Sequence, residues 1–355
     1  MLFSTKKILI VGGAGFVGSN LCQKILANNA ASIVIVDNLL SADLANLPTD
    51  PRVKFIFGSI AEDRVLEKVG LDYDYVFHLA TYHGNQSSIA DPIADHQNNT
   101  ITTLKLCEHF KGNKKLCNFV YASAGCTVAK KTYDSVQATS EDADVSLYHD
   151  SPYQISKIIG EFYGNYYWMK YELPFVKARF QNVYGPGEIL GAGQWRGTSA
   201  SVWRNVIPTF IWKALNKESI PVENEGLASR DFIYVEDIVN GLIACALEGR
   251  SGAVYNLASG METSIKELAE LINKLCKNTT PIQLVPGRPW DRSGKRFGAT
   301  EKSKEELGFE AKWRLQEGLL QTIQWTKNNT PLIKNNILKH RYFLPEVDRY
   351  LENDL

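Results

Sequence analysis

The stretch ILIVGGAGFVGSN, residues 8–20, joins an apolar strand to a glycine-rich turn and to the start of a helix. Gly12, Gly15 and Gly18 recur at every third position, and Gly13, Gly15 and Gly18 also fit the spacing GxGxxG. Glycine permits a sharp turn and lets a pyrophosphate approach the backbone. The N–H groups at the start of the helix can then bind that phosphate. The stretch therefore predicts a dinucleotide-binding βαβ unit.

The second predicted strand, SIVIVDN, ends in Asp37, nineteen residues after Gly18. A carboxylate at this position accepts hydrogen bonds from both hydroxyls of an adenosine ribose. It also repels a 2′-phosphate, so the two motifs together predict that the cofactor is NAD rather than NADP.

Apolar runs alternate with helical patterns through the first half of the chain. The predicted strands are KILIVGG, SIVIVDN, VKFIFGSI, YDYVFHLAT and LCNFVYAS. Strands that are apolar on both faces and alternate with helices are typical of a parallel sheet covered on each side. The predicted fold class is α/β, with a Rossmann-type doubly wound parallel sheet.

The second half contains three further predicted helices, the first of them in WRNVIPTFIWKALN, and a long loop. VEDIVNGLIACALEG predicts a helix opened by Glu236 or Asp237, and SIKELAELINKLCK predicts one capped by Ser264 or Thr263. The glycine-rich stretch GEILGAGQWRGTSASVWR, residues 187–204, is long for a loop, and such loops are often functional.

Composition and charge exclude several classes of function. The 355 residues include 39 basic and 39 acidic side chains, so the formal net charge is zero, and no nucleic-acid or membrane surface is expected. No apolar run is long enough to span a membrane, and the first residues lead directly into a strand without a signal peptide. The six cysteines lack CxxC or zinc-site spacing, which predicts free thiols in a reducing cytoplasm and no metal site.

The stretch SPYQISKIIGEFYGNYY predicts a helix with Ser151 as its N-cap. Tyr153 and Lys157 are four residues apart and therefore share one helical face. A neighbouring ammonium lowers the pKa of a phenol, and a bound nicotinamide cation would lower it further. We therefore predict that Tyr153 takes a proton from a substrate hydroxyl.

These motifs together resemble the extended short-chain dehydrogenase/reductases, in the branch of NAD-dependent nucleotide-sugar epimerases and dehydratases. VGGAGFVGS, FHLAT, YQISK, RFQNVYGPGE, RDFIYVEDI and YNLASG carry the resemblance, which extends over roughly residues 6–325. It implies a Rossmann domain in residues 1–180, with parts of 230–260 returning to it. It also implies a smaller C-terminal α/β lobe, mainly residues 181–325, that binds a nucleotide-diphosphate sugar, and a homodimer formed through the helix of Tyr153. Residues 326–355 remain as a C-terminal extension.

The resemblance also implies which residues bind each ligand. Those expected to contact or support NAD are Gly12, Gly15, Phe16, Val17, Gly18, Asp37, Asn38, Ser59, Ile60, Leu79, Ala80, Thr81, Asn99, Tyr153 and Lys157. Ser59 stands where the family usually has Asp. Those expected to meet the sugar or its diphosphate are Asn182, Asn205, Val206, Arg230 and Arg288. The two arginines match the family's diphosphate-binding pair, and their planar forks suit phosphate oxygens.

The segment SAGCTVA, residues 123–129, departs from the family pattern, in which an active serine precedes two variable residues and VYG. If Val128 is aligned with the tyrosine of VYG, Ala124 takes the serine position and Cys126 that of the dehydratase glutamate. If Ser123 is the active serine, the segment carries one additional residue. We favour Ser123, because without a hydroxyl the substrate oxygen loses a hydrogen-bond partner.

Cys126 has two possible roles. The local string resembles that of GDP-mannose 3,5-epimerases, in which a cysteine exchanges carbon-bound protons, although the lysine expected as its partner is missing. The alternative is a small buried residue facing the sugar ring. The segment has no Asp–Glu pair and no decarboxylase glutamate, which disfavours a 4,6-dehydratase and a decarboxylase. Glu141 and Asp142 follow on what we predict to be a solvated loop.

The predicted function is NAD-dependent epimerisation of a nucleotide-diphosphate sugar through a 4-keto intermediate, with inversion at C4 favoured. The alternative enzyme inverts C3 or C5, or eliminates a leaving group, through Cys126. A non-catalytic NAD sensor is the third possibility, and it is disfavoured because Tyr153 and Lys157 are both present. The sequence does not identify the nucleotide base or the sugar.

Overall fold

The computed structural model describes residues 2–292 and 294–351. The strands in these ranges are β1 (Lys7–Val11), β2 (Ser32–Asp37), β3 (Val53–Phe57), β4 (Tyr75–His78), β5 (Asn118–Ala124), β6 (Phe175–Phe180), β7 (Asn182–Tyr184), β8 (Pro221–Glu223), β9 (Ser229–Tyr234), β10 (Val254–Leu257), β11 (Glu262–Ser264) and β12 (Gln283–Val285). The helices are α1 (Phe16–Ala27), α2 (Asp63–Val69), α3 (Asn85–Ala90), α4 (Pro92–Asp95), α5 (Thr102–Phe110), α6 (Pro152–Tyr171), α7 (Val206–Leu215), α8 (Val235–Leu247), α9 (Ile265–Leu275), α10 (Glu301–Leu307), α11 (Leu315–Asn328) and α12 (Thr330–Leu338).

Seven strands form one parallel sheet in the order β10-β6-β5-β4-β1-β2-β3. Strands β4 and β5 are buried along their whole length, which explains why their sequences are almost continuously apolar. The strand order reverses direction between β1 and β4, and the carboxyl ends of strands at such a point form a ligand crevice. The predicted α/β class with a doubly wound parallel sheet is confirmed.

Helices cover both faces of this sheet. One apolar cluster packs α1 and α8 against it, and a second packs α2, α5 and α6. β10 joins the main sheet beside β6, although a long stretch of chain separates the two strands. The predicted domain boundaries themselves stay a prediction.

The smaller lobe contains a three-stranded sheet, β11-β9-β7, and a two-stranded sheet, β12-β8. Residues 330–350, here called the C-terminal segment, pack against the loop of residues 187–204 through a third apolar cluster. The rings of Trp195 and Phe343 stack at 5.0 Å with an interplanar angle of 9°, and His340 Nε2 lies 2.8 Å from the Gly191 carbonyl oxygen. The predicted extension of residues 326–355 runs beyond the described residues after Leu351.

Of the two helix starts predicted in the second half of the chain, one was confirmed and one was wrong. Ser264 caps α9 and forms a reciprocal capping box with Glu267. Helix α8 begins at Val235 with Tyr234 as its N-cap, so Glu236 and Asp237 lie in its first turn rather than opening it. A π-helical turn, His96–Ile101, precedes α5. In the described part of the chain, the helices are all too short or too polar to cross a membrane.

Candidate active site

A cavity of about 1110 Å³ lies at the carboxyl ends of β1 and β4 and continues between the two lobes. Its wall includes the glycine-rich turn after β1, Asp37 at the end of β2, Tyr153 on α6 and Arg230 on β9 of the smaller lobe. The volume exceeds that of a typical pocket for one small molecule. The cavity can therefore hold two ligands, with Tyr153 between them.

The glycine-rich turn leaves no space for side chains at two of its positions. Gly12 has a φ of 87°, and a Cβ atom there would lie 2.5 Å from the Ala80 backbone nitrogen. A Cβ atom on Gly18 would lie 2.2 Å from the Gly12 carbonyl oxygen. Helix α1 begins at Phe16, and its N-cap is Gly15, which has no side chain to cap the helix. The first N–H groups of α1, including those of Phe16 and Val17, are thus available to a phosphate.

Asp37 lies at the carboxyl end of β2 on the cavity wall. Its Oδ2 accepts a hydrogen bond from the Ala14 N–H at 3.0 Å, and its Oδ1 accepts one from the Leu39 N–H at 2.8 Å. Each oxygen keeps capacity for a further donor, as the prediction of a ribose contact requires. Burial raises the pKa of Asp37, and the backbone donors oppose that effect. Asn38, Ser59 and Ile60 line the same end of the cavity.

The loop that follows β4 forms the wall between Asp37 and Tyr153. Leu79, Ala80 and Thr81, which are predicted to contact the nicotinamide side of NAD, line the cavity. Asn99 lies behind this wall: its Oδ1 accepts hydrogen bonds from the Tyr82 N–H at 2.6 Å and from Thr81 Oγ1 at 3.1 Å. Its Nδ2 donates to Asp95 Oδ1 at 2.7 Å. Asn99 thus supports the loop from outside the cavity.

Tyr153 and Lys157 lie on the first turns of α6, which Ser151 caps. The Lys157 ammonium donates to the Ala122 carbonyl oxygen at 2.9 Å and lies 5.8 Å from the centre of the Tyr153 ring. Burial raises the pKa of Tyr153 and lowers that of Lys157 to about 8. The direction of the Tyr153 pKa shift is opposite to the one predicted from the spacing alone, because burial raises the pKa most and Cys126 and Asp95 act in the same direction. A phenolate at this position needs additional positive charge beside it.

Ser123, predicted to bond the reacting sugar hydroxyl, contacts a buried ion pair in the structure. Its hydroxyl donates to Glu161 Oε1 at 2.5 Å, and Arg179 donates to both oxygens of the same carboxylate. Ser123 borders the cavity, but the single proton of its hydroxyl is engaged by this buried ion pair. While this contact holds, the hydroxyl oxygen can still accept a hydrogen bond from a sugar hydroxyl, and the role of Ser123 stays a prediction.

Cys126 lies in a short 3-10 turn after β5 and is partly exposed on the cavity wall. Its charge would affect the ionisation of Tyr153, Lys157 and Arg230, so the thiol lies near the centre of the site. Glu141, predicted on a solvated loop, is instead buried, and its Oε1 accepts a hydrogen bond from the Asn256 N–H at 2.8 Å.

The residues predicted to bind the substrate line the other end of the cavity. Arg230 Nη1 donates to the carbonyl oxygens of Ser229 and Gly294 at 2.7 and 2.6 Å, and burial lowers its pKa to about 9. Arg288 is more exposed and forms an ion pair with Glu223, with its Nη2 2.7 Å from Glu223 Oε1. Arg288 would need to share or exchange this partner to bind a diphosphate. Asn182 and Val206 border the same space.

Several cavity residues were absent from the sequence-based prediction: Glu188, Arg204 and Arg296. Glu188 and Arg204 belong to the loop of residues 187–204, which was recognised as functional without any assignment of its side chains. Arg296 influences both Tyr153 and Arg230 electrostatically. The described residues contain no group of three His, Cys, Asp or Glu side chains arranged to hold a metal ion.

Comparison with known proteins identifies a family and several similar structures. The family model described as the NAD dependent epimerase/dehydratase family matches residues 8–258. The crystal structure of the Bordetella bronchiseptica enzyme WbmF in complex with NAD⁺ and UDP shares 54% sequence identity, with 96% of this chain and 98% of that chain covered and a TM-score of 0.86.

Two more distant relatives differ in their chemistry. The structure of a UDP-glucose 4-epimerase from Thermotoga maritima, solved with UDP-glucose, is 28% identical, covers 91% of this chain and 99% of its own, and gives a TM-score of 0.82. UDP-glucuronic acid decarboxylase 3 of Arabidopsis thaliana is 28% identical over 318 residues, which are 88% of this chain and 86% of the relative.

Proposed function

The chain belongs to the NAD-dependent epimerase/dehydratase family, and we propose that it inverts C4 of a nucleoside-diphosphate sugar through a transient 4-keto intermediate. One observation carries the proposal. Tyr153 lies in one continuous cavity between the glycine-rich turn with Asp37 and the pair Arg230 and Arg288. A phenol between a dinucleotide and a sugar diphosphate is positioned to exchange a proton with a sugar hydroxyl.

In this mechanism Tyr153 takes the proton of the C4 hydroxyl, and Lys157 stabilises the phenolate. Lys157 is suited to this role because its pKa, lowered to about 8 by burial, still leaves most of the amine charged at neutral pH. Bound NAD supplies a reversible hydride acceptor, so no external reductant is consumed. The residues that would hold it are the glycine-rich turn, Asp37 and the loop Leu79–Thr81. Inversion then requires the ketone to present its other face before Tyr153 returns the proton.

We propose that the nucleotide is uridine diphosphate. The similarity to WbmF, which was solved with UDP, supports this choice. The N-terminus of α7 and the Arg230 guanidinium border the same end of the cavity, where a diphosphate would find N–H donors and positive charge.

The test is to incubate the purified protein with UDP-, GDP-, dTDP- and CDP-sugars in D₂O. We expect one UDP-sugar to be converted to its C4 epimer without carbon-bound deuterium, and Tyr153→Phe to slow the conversion by a factor of about 10² to 10⁴ while NAD stays bound. Conversion by the Tyr153→Phe variant at the wild-type rate would contradict the proposal. A sensor would retain its function in that variant.

Inversion at C3 or C5 is a second candidate, and the position of Cys126 favours it. The thiol borders the cavity close to Tyr153, where it can reach a carbon next to the C4 ketone. A ketone acidifies the adjacent C–H groups, so a base at this position can remove one of their protons and return it to the other face. Carbon-bound deuterium that disappears in a Cys126→Ala variant would establish this reaction, whereas 4-epimerisation alone incorporates none.

We also propose that the protein is a homodimer in the cytoplasm. Helix α6 presents a row of large apolar side chains, Ile155, Phe162, Tyr166 and Met169, each at least 45% exposed. Such a contiguous exposed patch is typical of an interface. Phe162→Glu should yield a monomer in light scattering, whereas Leu147→Glu, at an exposed loop position, should not. Six free cysteines suit a reducing compartment.

A further inference from the structure

His83 begins a chain of hydrogen bonds that leads from the centre of the cavity into its wall. The residue follows β4, lines the cavity and meets the Tyr153 ring edge-on, with ring centres 6.3 Å apart. Its Nε2 lies 3.1 Å from Asn205 Oδ1. The Asn205 amide nitrogen in turn donates to Glu188 Oε1, which is buried. A carboxyl group, an amide and an imidazole are therefore connected in series beside the reacting phenol.

This chain determines where His83 carries its proton. The Asn205 amide presents its nitrogen to Glu188, so its oxygen faces His83. An oxygen accepts a hydrogen bond and cannot donate one, so Nε2 of His83 must be protonated. Burial keeps the ring neutral by lowering the pKa of His83 to about 4, and Arg204 acts in the same direction. The other ring nitrogen, Nδ1, consequently carries a lone pair.

Within residues 2–292 and 294–351, no protein group forms a hydrogen bond with Nδ1 of His83. The lone pair belongs to a residue on the cavity wall, next to the phenol that is proposed to act at C4. A hydroxyl or an amide N–H on a neighbouring sugar carbon is the kind of group that such an acceptor selects. A keto, deoxy or fluoro substituent has no proton to donate.

We propose that His83 determines specificity: held by Asn205 and Glu188, its Nδ1 accepts a hydrogen bond from a donor on the sugar carbon next to the reacting carbinol. The inference rests on the proposed function and narrows its substrate class. The substrate is a nucleotide sugar with a hydroxyl or an acylamino group beside C4. Asn205, which was predicted to bind the substrate directly, becomes a positioning residue for His83.

The tautomer is tested by ¹⁵N NMR on the full chain with bound NAD, labelled at histidine, with His83→Gln to assign the resonance. We expect a neutral ring protonated at Nε2, and an Asn205→Leu variant that loses this preference. A ring protonated at Nδ1, or a charged ring at neutral pH, would overturn the proposal. The measurement is independent of turnover.

The contact is tested by adding the four classes of nucleotide sugar to the same sample and by comparing two substitutions. Asparagine places an amide oxygen near the position of Nδ1, whereas glutamine reaches only that of Nε2. For the sugar that turns over, His83→Gln should lower kcat/KM about tenfold, the value of one neutral hydrogen bond, and His83→Asn should recover most of the loss. The Nδ1 resonance should also shift when that sugar binds.

The outcomes separate the two proposals. If no sugar in the panel binds, the proposed function fails, and the inference fails with it. If a sugar turns over but leaves the Nδ1 resonance unchanged, or if the two substitutions have equal effects, only the inference fails. His83 would then be a packing residue beside Tyr153.

Discussion

The two ends of the cavity are built in different ways. The end predicted to bind NAD is formed by the turns after β1, β2 and β4, and each turn lies directly next to the strand that positions it. The end predicted to bind the sugar combines Arg230 and Arg288 with the loop of residues 187–204, and the C-terminal segment packs against that loop. The same loop also reaches the turn after β2, where Arg196 and Arg204 donate to backbone carbonyl oxygens. Binding groups at the first end depend mainly on local backbone geometry, whereas those at the second depend mainly on contacts between distant parts of the chain.

Tyr153 lies where the two ends meet, and its substitution should have the largest effect. Tyr153→Phe removes the proton acceptor but keeps the ring, so kcat should fall by a factor of about 10² to 10⁴. Affinities for NAD and for the nucleotide sugar, measured by calorimetry, should stay close to wild type. A large loss of either affinity would mean that Tyr153 belongs to one end rather than to the boundary between them.

The buried carboxyl at the sugar end should make stability depend on pH. Burial raises the pKa of Glu188 from 4.5 to about 7, so the folded protein retains a proton that the unfolded chain loses. The contribution of Glu188 to the free energy of unfolding therefore decreases as pH rises between these values. Glu188→Gln cannot titrate, so its stability relative to wild type should increase by about 2–3 kcal/mol across that interval.

This comparison is made by urea denaturation at pH 5 and pH 8 without ligands. A difference between variant and wild type that is the same at both pH values would show that Glu188 is ionised in the folded protein. The titration of Glu188 would then not distinguish the sugar end of the cavity from the NAD end.

A methyl group added to the glycine-rich turn should change stability or NAD affinity according to its position. Gly18→Ala brings a Cβ atom to 2.2 Å from the Gly12 carbonyl oxygen, whereas Gly15→Ala brings one only to 3.3 Å. We expect Gly18→Ala to lower the free energy of unfolding by about 1–3 kcal/mol through overpacking. Gly15→Ala should cost less stability and mainly weaken NAD binding, because Gly15 lines the cavity. Equal losses of stability in the two variants would contradict this prediction, because they would show that the turn relaxes around a methyl group at either position.

The smallest effect is expected where the C-terminal segment supports the sugar end. Phe343→Ala removes the ring stacked on Trp195, a contact of about 1 kcal/mol. Hydrogen exchange in residues 187–204 should accelerate and KM for the sugar should rise, with a smaller change in NAD affinity because the loop also contacts the turn after β2. Tyr342→Ala, at a more exposed neighbouring position, is the control. A loss of NAD affinity as large as the rise in KM would show that the segment supports both ends equally.

Sequence reasoning succeeded where a binding group lies beside a strand or opens a helix. Asp37 at the end of β2 and Ser151 at the start of α6 follow from local patterns, and the structure places both as expected. It did not anticipate contacts between side chains and distant parts of the chain. Ser123 donates to Glu161 on another element, and Glu141 pairs with Asn256, 115 residues later.

The same limit applies to the ionisation of the site and to the loop of residues 187–204. Spacing placed Lys157 one turn from Tyr153, but it could not reveal that burial would dominate the pKa of the phenol. Glu188 and Arg204 occur in a stretch without regular periodicity. The sequence pattern therefore did not show which side chains of this stretch would face the cavity. Such information exists only once the lobes have packed together.

The packing of the C-terminal segment on the loop of residues 187–204 has a consequence for biosynthesis. The C-terminal segment is synthesised long after the loop of residues 187–204. The loop therefore lacks its apolar partners at a stage when strands β1 to β6 can already pair. A nascent chain halted before Thr330 would be ready to accept its dinucleotide but would still lack a firm wall for the sugar. Maturation of the enzyme would thus proceed in two stages, with the capacity to hold a redox cofactor acquired before the capacity to choose a substrate.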